Sequence, residues 1–117
     1  MIIPSINREH FEDAVKDIRT IEHSAEWAHL DIQDGHFISR ATWNNPQDIR
    51  GFITPLKFEA HLMVETPELI AEDWLQAGVV RAIVQCESLK DPAAFQDLCK
   101  RYGAEAGIAV SPNTPIE

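Results

Sequence analysis

Two imidazoles and a carboxylate on neighbouring strand-like runs are the side chains of this 117-residue chain whose types and spacing could do chemistry. In HLDIQDGHF, residues 29–37, strand alternation puts His29, Asp31 and Gln33 on one face and Leu30 and Ile32 on the other. A strand buried on both faces holds a carboxylate beside an imidazole only at a cost, unless the two pair or bind a metal. The run FEAHLMVETP, residues 58–67, repeats the anomaly: Glu59 and His61 share one face of an otherwise apolar strand. Taken singly, each has a structural explanation, a hydrogen-bonded His–Asp pair on an exposed edge strand or a satisfied core histidine at position 61. Together they favour a ligand set. Two His and one Asp suit zinc, iron or manganese without choosing among them, because ligand type overlaps for these ions.

The elements that must position these residues are short apolar runs alternating with helical stretches, the pattern of repeated βα units and a parallel sheet. Five strands are predicted, at Ile2–Ser5, Trp27–Ile32, Leu56–Met63, Ala82–Cys86 and Ala106–Val110. Four helices lie between them. The first carries Phe11, Ala14, Val15, Ile18 and Ile21 along one face, and a short second one spans Pro46–Phe52. The third opens with Thr66 as N-cap and Pro67 at the first helical position and stops before Gly78. The fourth opens at Asp91-Pro92 and stops before Gly103. No linker composition or low-complexity tract divides the chain, so one α/β domain is expected over residues 1–117.

Composition narrows the partners. Hydrophobic residues at 44% and charged residues at 25% are ordinary for a globular chain. Ten Lys and Arg against nineteen Asp and Glu leave a net charge of −9, which disfavours nucleic acid and anionic membrane surfaces. No apolar run approaches the ~18 residues of a membrane span, and Met-Ile-Ile-Pro lacks the basic start of a signal peptide, so the cytoplasm is the expected compartment. Cys86 and Cys99 form no CxxC spacing and are expected as reduced thiols.

Four stretches, IIPS at residues 2–5, HLDIQDGHF, HLMVETPE at residues 61–68 and GIAVSPNTPIE at residues 107–117, are similar in order and spacing to the ribulose-phosphate 3-epimerases. That family interconverts ribulose 5-phosphate and xylulose 5-phosphate on a (β/α)8 barrel. The resemblance implies a TIM-type barrel, incomplete in this chain, and one divalent ion, zinc, iron, manganese or cobalt, held by His29, Asp31 and His61. It implies Ser5 and His61 as substrate contacts and Asp31 as one of two acid/base carboxylates. The roles follow from the chemistry: epimerisation beside a carbonyl needs a base on one face of the carbon and an acid on the other, and a metal stabilises the charge that develops. Four departures stand out: Gln33 where the family has Met, Gln85 where it has His, Asn7 in place of an apolar residue, and ISRATWNNP at residues 38–46 where the family reads VPNLTFGP. After the position of Glu117 the family continues with three strands that supply the second Asp and the phosphate-binding loops.

Two expectations follow. Activity is expected to be impaired without the second carboxylate. A related sugar-phosphate reaction, or a non-catalytic partial-barrel module, is the alternative. An open five-stranded sheet is also expected to leave apolar inner-face side chains and two strand edges uncovered, favouring a homo-oligomer or other edge-to-edge association.

Overall fold

The computed structural model describes residues 1–112, so the part of the last family-like stretch from residue 113 onward lies outside the described residues. Five parallel strands form one sheet in chain order, β1 (Ser5–Ile6), β2 (Trp27–Gln33), β3 (Lys57–Met63), β4 (Arg81–Gln85) and β5 (Glu105–Ala109). Three α-helices connect them: α1 (Phe11–Ile21), α2 (Pro67–Ala77) and α3 (Pro92–Arg101). Consecutive parallel neighbours joined by helices are the architecture of a TIM-type barrel, present here as an open part of one.

The predicted helix at Pro46–Phe52 is corrected to a single 3-10 turn, Pro46–Asp48, so three α-helices rather than four are found among the described residues. Pro46 does start the turn and the Asn45 side chain does accept from Gln47 N–H at 3.2 Å. Gly51, at φ +75°, then takes the chain into the left-handed region and no further turn can propagate. The first strand is also displaced, from Ile2–Ser5 to Ser5–Ile6. Pro4 has no N–H to donate to a ladder, and the first regular pairing is Ser5 with His29. Thr66 sits at the N-cap of α2 without a side-chain capping bond, whereas Asp91 caps α3 by accepting from Ala94 N–H at 3.1 Å.

Register decides which side chains meet. Cα partners in a parallel sheet point to the same face, so the pairings stack inward-facing residues in rows across the strands. One row is Ser5, His29, Glu59, Arg81 and Glu105. The next, toward the carboxyl ends, carries Asp31, His61, Ile83 and Gly107. The opposite face is the core. Ala28, Leu30, Ile32, Ala60, Leu62, Ala82 and Val84 are fully buried beneath Ile18, Ala71 and Trp74 of the helices. Trp43 meets Trp74 edge-on at 5.4 Å, and Phe11 stacks beside Trp43 at 5.0 Å, so the loop after β2 is pinned to the helix layer.

The inner face differs from expectation. Charged and polar side chains of the two rows fill it, with Ile83 its main aliphatic side chain; on β5 the exposed apolar side chain is instead Ile108, 55% accessible, on the helix-side face. Gly107 is small for a reason of space, since a Cβ there would meet Ile83 Cγ1 at 3.0 Å.

Candidate metal centre

Asp31 and His61 are direct register partners, and His29 lies one inward position before Asp31 on the same strand. Parity and register alone therefore bring the three together near the carboxyl ends of β2 and β3. One ligand atom from each lies within 4.8 Å of those of the other two. His29 Nε2 is 3.0 Å from Asp31 Oδ1, and His61 Nδ1 is 3.9 Å from the same oxygen. Donors about 2.1 Å from a tetrahedral ion stand roughly 3.4 Å from one another, a spacing these two distances bracket. All three groups are partly buried, so charge placed here is only partly screened by water.

The second nitrogen of each ring is occupied. His29 Nδ1 lies 2.9 Å from Glu59 Oε2, and His61 Nε2 lies 2.6 Å from Gln85 Oε1. A carboxylate or amide oxygen can only accept, so each of these nitrogens can serve as the N–H donor, and with an ion at the site His29 Nε2 and His61 Nδ1 would be the free nitrogens facing it. This arrangement fits a divalent ion: two imidazoles oriented from behind, and one carboxylate between them. Without an ion, the hydrogen bond to Asp31 raises the His29 pKa above its ordinary value; burial opposes this and Glu59 reinforces it. Burial pushes the Asp31 carboxyl up, but His29, Asn7 and the charge of His61 together hold it below the usual aspartate value. Asn7 Nδ2 donates to Asp31 Oδ2 at 3.3 Å.

Of the residues singled out in the sequence, His29, Asp31 and His61 are brought together. Ser5 is exposed in the row of His29. Gln33 is buried against Met63 Sδ, with its Oε1 unpaired among the described residues. Three residues were not assigned roles from sequence: Glu59, Arg81 and Glu105. Alternation flags Glu59, but its neighbours follow only from register.

Asp34 closes the loop behind the site. Its Oδ1 accepts from His36 and Phe37 N–H at 2.8 and 3.1 Å, and its Oδ2 from Glu65 N–H at 3.0 Å, tying the loop after β2 to the loop after β3. No helix among the described residues is long and apolar enough to cross a membrane.

Comparison with known proteins bears on what this arrangement is for. The sequence model of the ribulose-phosphate 3 epimerase family matches residues 1–117. Curated relatives named ribulose-phosphate 3-epimerase include those of Candida glabrata, 30% identical over all of this chain and 55% of the relative, and Mycobacterium tuberculosis, 30% identical over all of this chain and 51% of the relative. That of Chlamydia muridarum is 36% identical over all of this chain and 52% of the relative. The chain thus spans about half the length of the relatives it matches.

Proposed function

The chain belongs to the ribulose-phosphate 3 epimerase family, and from that premise we propose that residues 1–117 form one partial-barrel domain carrying the metal-binding side of a pentulose 5-phosphate 3-epimerase site. The observation that carries the reading is the meeting of His29, Asp31 and His61 within 4.8 Å on an otherwise ordinary βα sheet. These three would hold one divalent ion, zinc, iron, manganese or cobalt, which would supply Lewis-acid stabilisation of charge developing on the substrate carbonyl oxygen.

The remaining work falls to the chain's own residues. Asp31 Oδ1 faces the two imidazoles while Oδ2 faces the Asn7 amide, so one oxygen is directed to the ligand set and the other is available to take or return the proton at C3. His61, its ring nitrogens directed to Gln85 and to the ion site, would line the substrate pocket on the same row, and exposed Ser5 supplies a hydroxyl contact at the β1 edge. Epimerisation needs a second acid/base group on the opposite face of the carbon, and losing one member of such a pair costs on the order of 10²- to 10⁴-fold. A sugar-phosphate reaction of this kind belongs in the cytoplasm.

Proton exchange separates the two halves of the reaction. In deuterated buffer with added manganese, zinc, iron or cobalt ion, the isolated chain is expected to wash deuterium into C3 of one epimer of the pentulose phosphate, with little net epimerisation. Asp31→Asn should abolish the exchange. Exchange that is absent in the wild type, or unchanged by Asp31→Asn, would overturn the assignment of Asp31.

One observation favours a second reading, in which the chemistry is kept and the sugar phosphate differs. Gln33 places a buried acceptor without a partner among the described residues two residues beyond Asp31 on the inward face, and a buried acceptor left unpaired costs about 1–3 kcal/mol. A substrate hydroxyl would satisfy it. Comparing ribulose 5-phosphate with ketohexose 6-phosphates, in the wild type and in Gln33→Met, tests this: a preference for the longer sugar that the substitution removes would support it, and identical preferences would sink it.

A further inference from the structure

One inward position before Asp31, the row of His29, Glu59, Arg81 and Glu105 is an unbroken chain of charged contacts that the proposed reaction does not itself use. We infer that Glu59, held by Arg81, is the positioning residue for His29: it fixes the ring so that Nε2 is presented to the ion site. This rests on reading His29, Asp31 and His61 as that site.

Glu59 is only 5% exposed, and a carboxylate so buried is costly unless both oxygens are occupied. Both are. Oε2 lies 2.9 Å from His29 Nδ1, and Oε1 accepts from Arg81 Nη1 at 2.9 Å. The guanidinium is itself fixed, by Glu105 Oε2 at 2.8 Å from Nε and 2.7 Å from Nη2 and by the Trp27 ring, whose centroid is 4.4 Å away. The direction of the Glu59 carboxylate is therefore set from β2, β4 and β5 before any ion arrives. Turning the His29 ring over would put a carbon against Glu59 and leave its oxygen unpaired in a buried setting, so the ring is held in one orientation.

The two imidazoles are not equivalent in this respect. Behind His61 stands the neutral amide of Gln85, whose own Nε2 is only 3.4 Å from Glu87 Oε1. Behind His29 stands a full negative charge. An anion on the far nitrogen makes the near one a better donor, and removing such a partner typically lowers metal affinity about 10- to 100-fold. If Glu59 serves only as a counter-ion for Arg81, its loss should alter stability and leave metal affinity and the His29 tautomer untouched.

The test uses the full chain as wild type, Glu59→Gln, Glu59→Ala and His29→Ala. Cobalt(II) is titrated by optical absorption and zinc by calorimetry, and long-range nitrogen–proton correlation spectra of the zinc-loaded protein show which ring nitrogen of His29 carries hydrogen. The wild type is expected to bind, with hydrogen on Nδ1. Glu59→Ala should bind about 10- to 100-fold more weakly with mixed His29 tautomers, and Glu59→Gln, which keeps an acceptor, should fall between. A folded Glu59→Ala with wild-type affinity and tautomer overturns the inference; should that variant fail to fold, unchanged affinity in Glu59→Gln does the same. Failure of the wild type to bind, or binding unaffected by His29→Ala, instead removes the metal reading itself and this inference with it.

Discussion

The Asn7 amide nitrogen stands 3.3 Å from Asp31 Oδ2, on the carboxylate oxygen that is not shared with the imidazoles. Asn7 follows β1, and its partner is on β2, so this contact adds a side-chain link between the edge strand and the candidate site to the backbone pairing of Ser5 with His29.

Asn7→Ala removes that link. A hydrogen bond to a charged group is worth about 1.5–3 kcal/mol, and at 3.3 Å the lower end applies. The proton-exchange rate at C3 is expected to fall by about 10-fold, with circular dichroism unchanged. An unaltered rate would show that Oδ2 does not depend on Asn7 for its orientation.

Trp74 is the largest fully buried side chain, and it supports the sheet behind β2 and β3. Trp74→Ala should destabilise the fold by about 3–5 kcal/mol, a large part of the 5–15 kcal/mol typical of a domain. Trp74→Phe should cost less than its lost area suggests, because the indole Nε1 has no partner among the described residues and its removal relieves an unpaired buried donor. Urea unfolding midpoints measure both. A Trp74→Ala midpoint equal to that of wild type would show that α2 does not anchor the sheet.

Asp34 predicts the direction of acid sensitivity. Burial alone would raise its pKa, but the backbone N–H groups of Glu65, His36 and Phe37 outweigh this and hold the carboxyl below the ordinary aspartate value. Because the unfolded chain then binds the proton more tightly, the stabilisation is complete above the unfolded pKa of about 3.9 and is lost as pH falls through the lower folded value. Below about pH 4, wild type should therefore lose stability more steeply than Asp34→Asn, which cannot gain this proton. Parallel slopes in acid unfolding would show that the clasp carries no linkage.

Assembly is expected at β5. Ile108 and Val110 are 55% and 39% accessible, and β5 has a strand partner on one side only among the described residues. An apolar edge of this kind pairs readily with another chain. Light scattering over a range of concentrations should show self-association that Ile108→Lys weakens. A monodisperse monomer at every concentration would overturn this expectation.

The sequence determined by itself what is local. Alternation placed His29 with Asp31 and Glu59 with His61 on inward faces, because strand side chains alternate wherever the strand lies. The Pro-started, Gly-stopped helices α2 and α3 were legible within a residue or two, because caps act within one turn. Pro46–Phe52 misled because a cap and a proline begin a helix but do not supply the residues that continue it. What only the tertiary structure decided was register. Sliding β3 by two residues against β2 would keep every inward face inward, yet would separate Asp31 from His61 and Glu59 from His29. Strand pairing is settled by the packing of Leu30, Ile32, Leu62 and Val84 under Trp74, contacts distant in sequence, so the Glu105–Arg81–Glu59–His29 chain exists only once that core has closed.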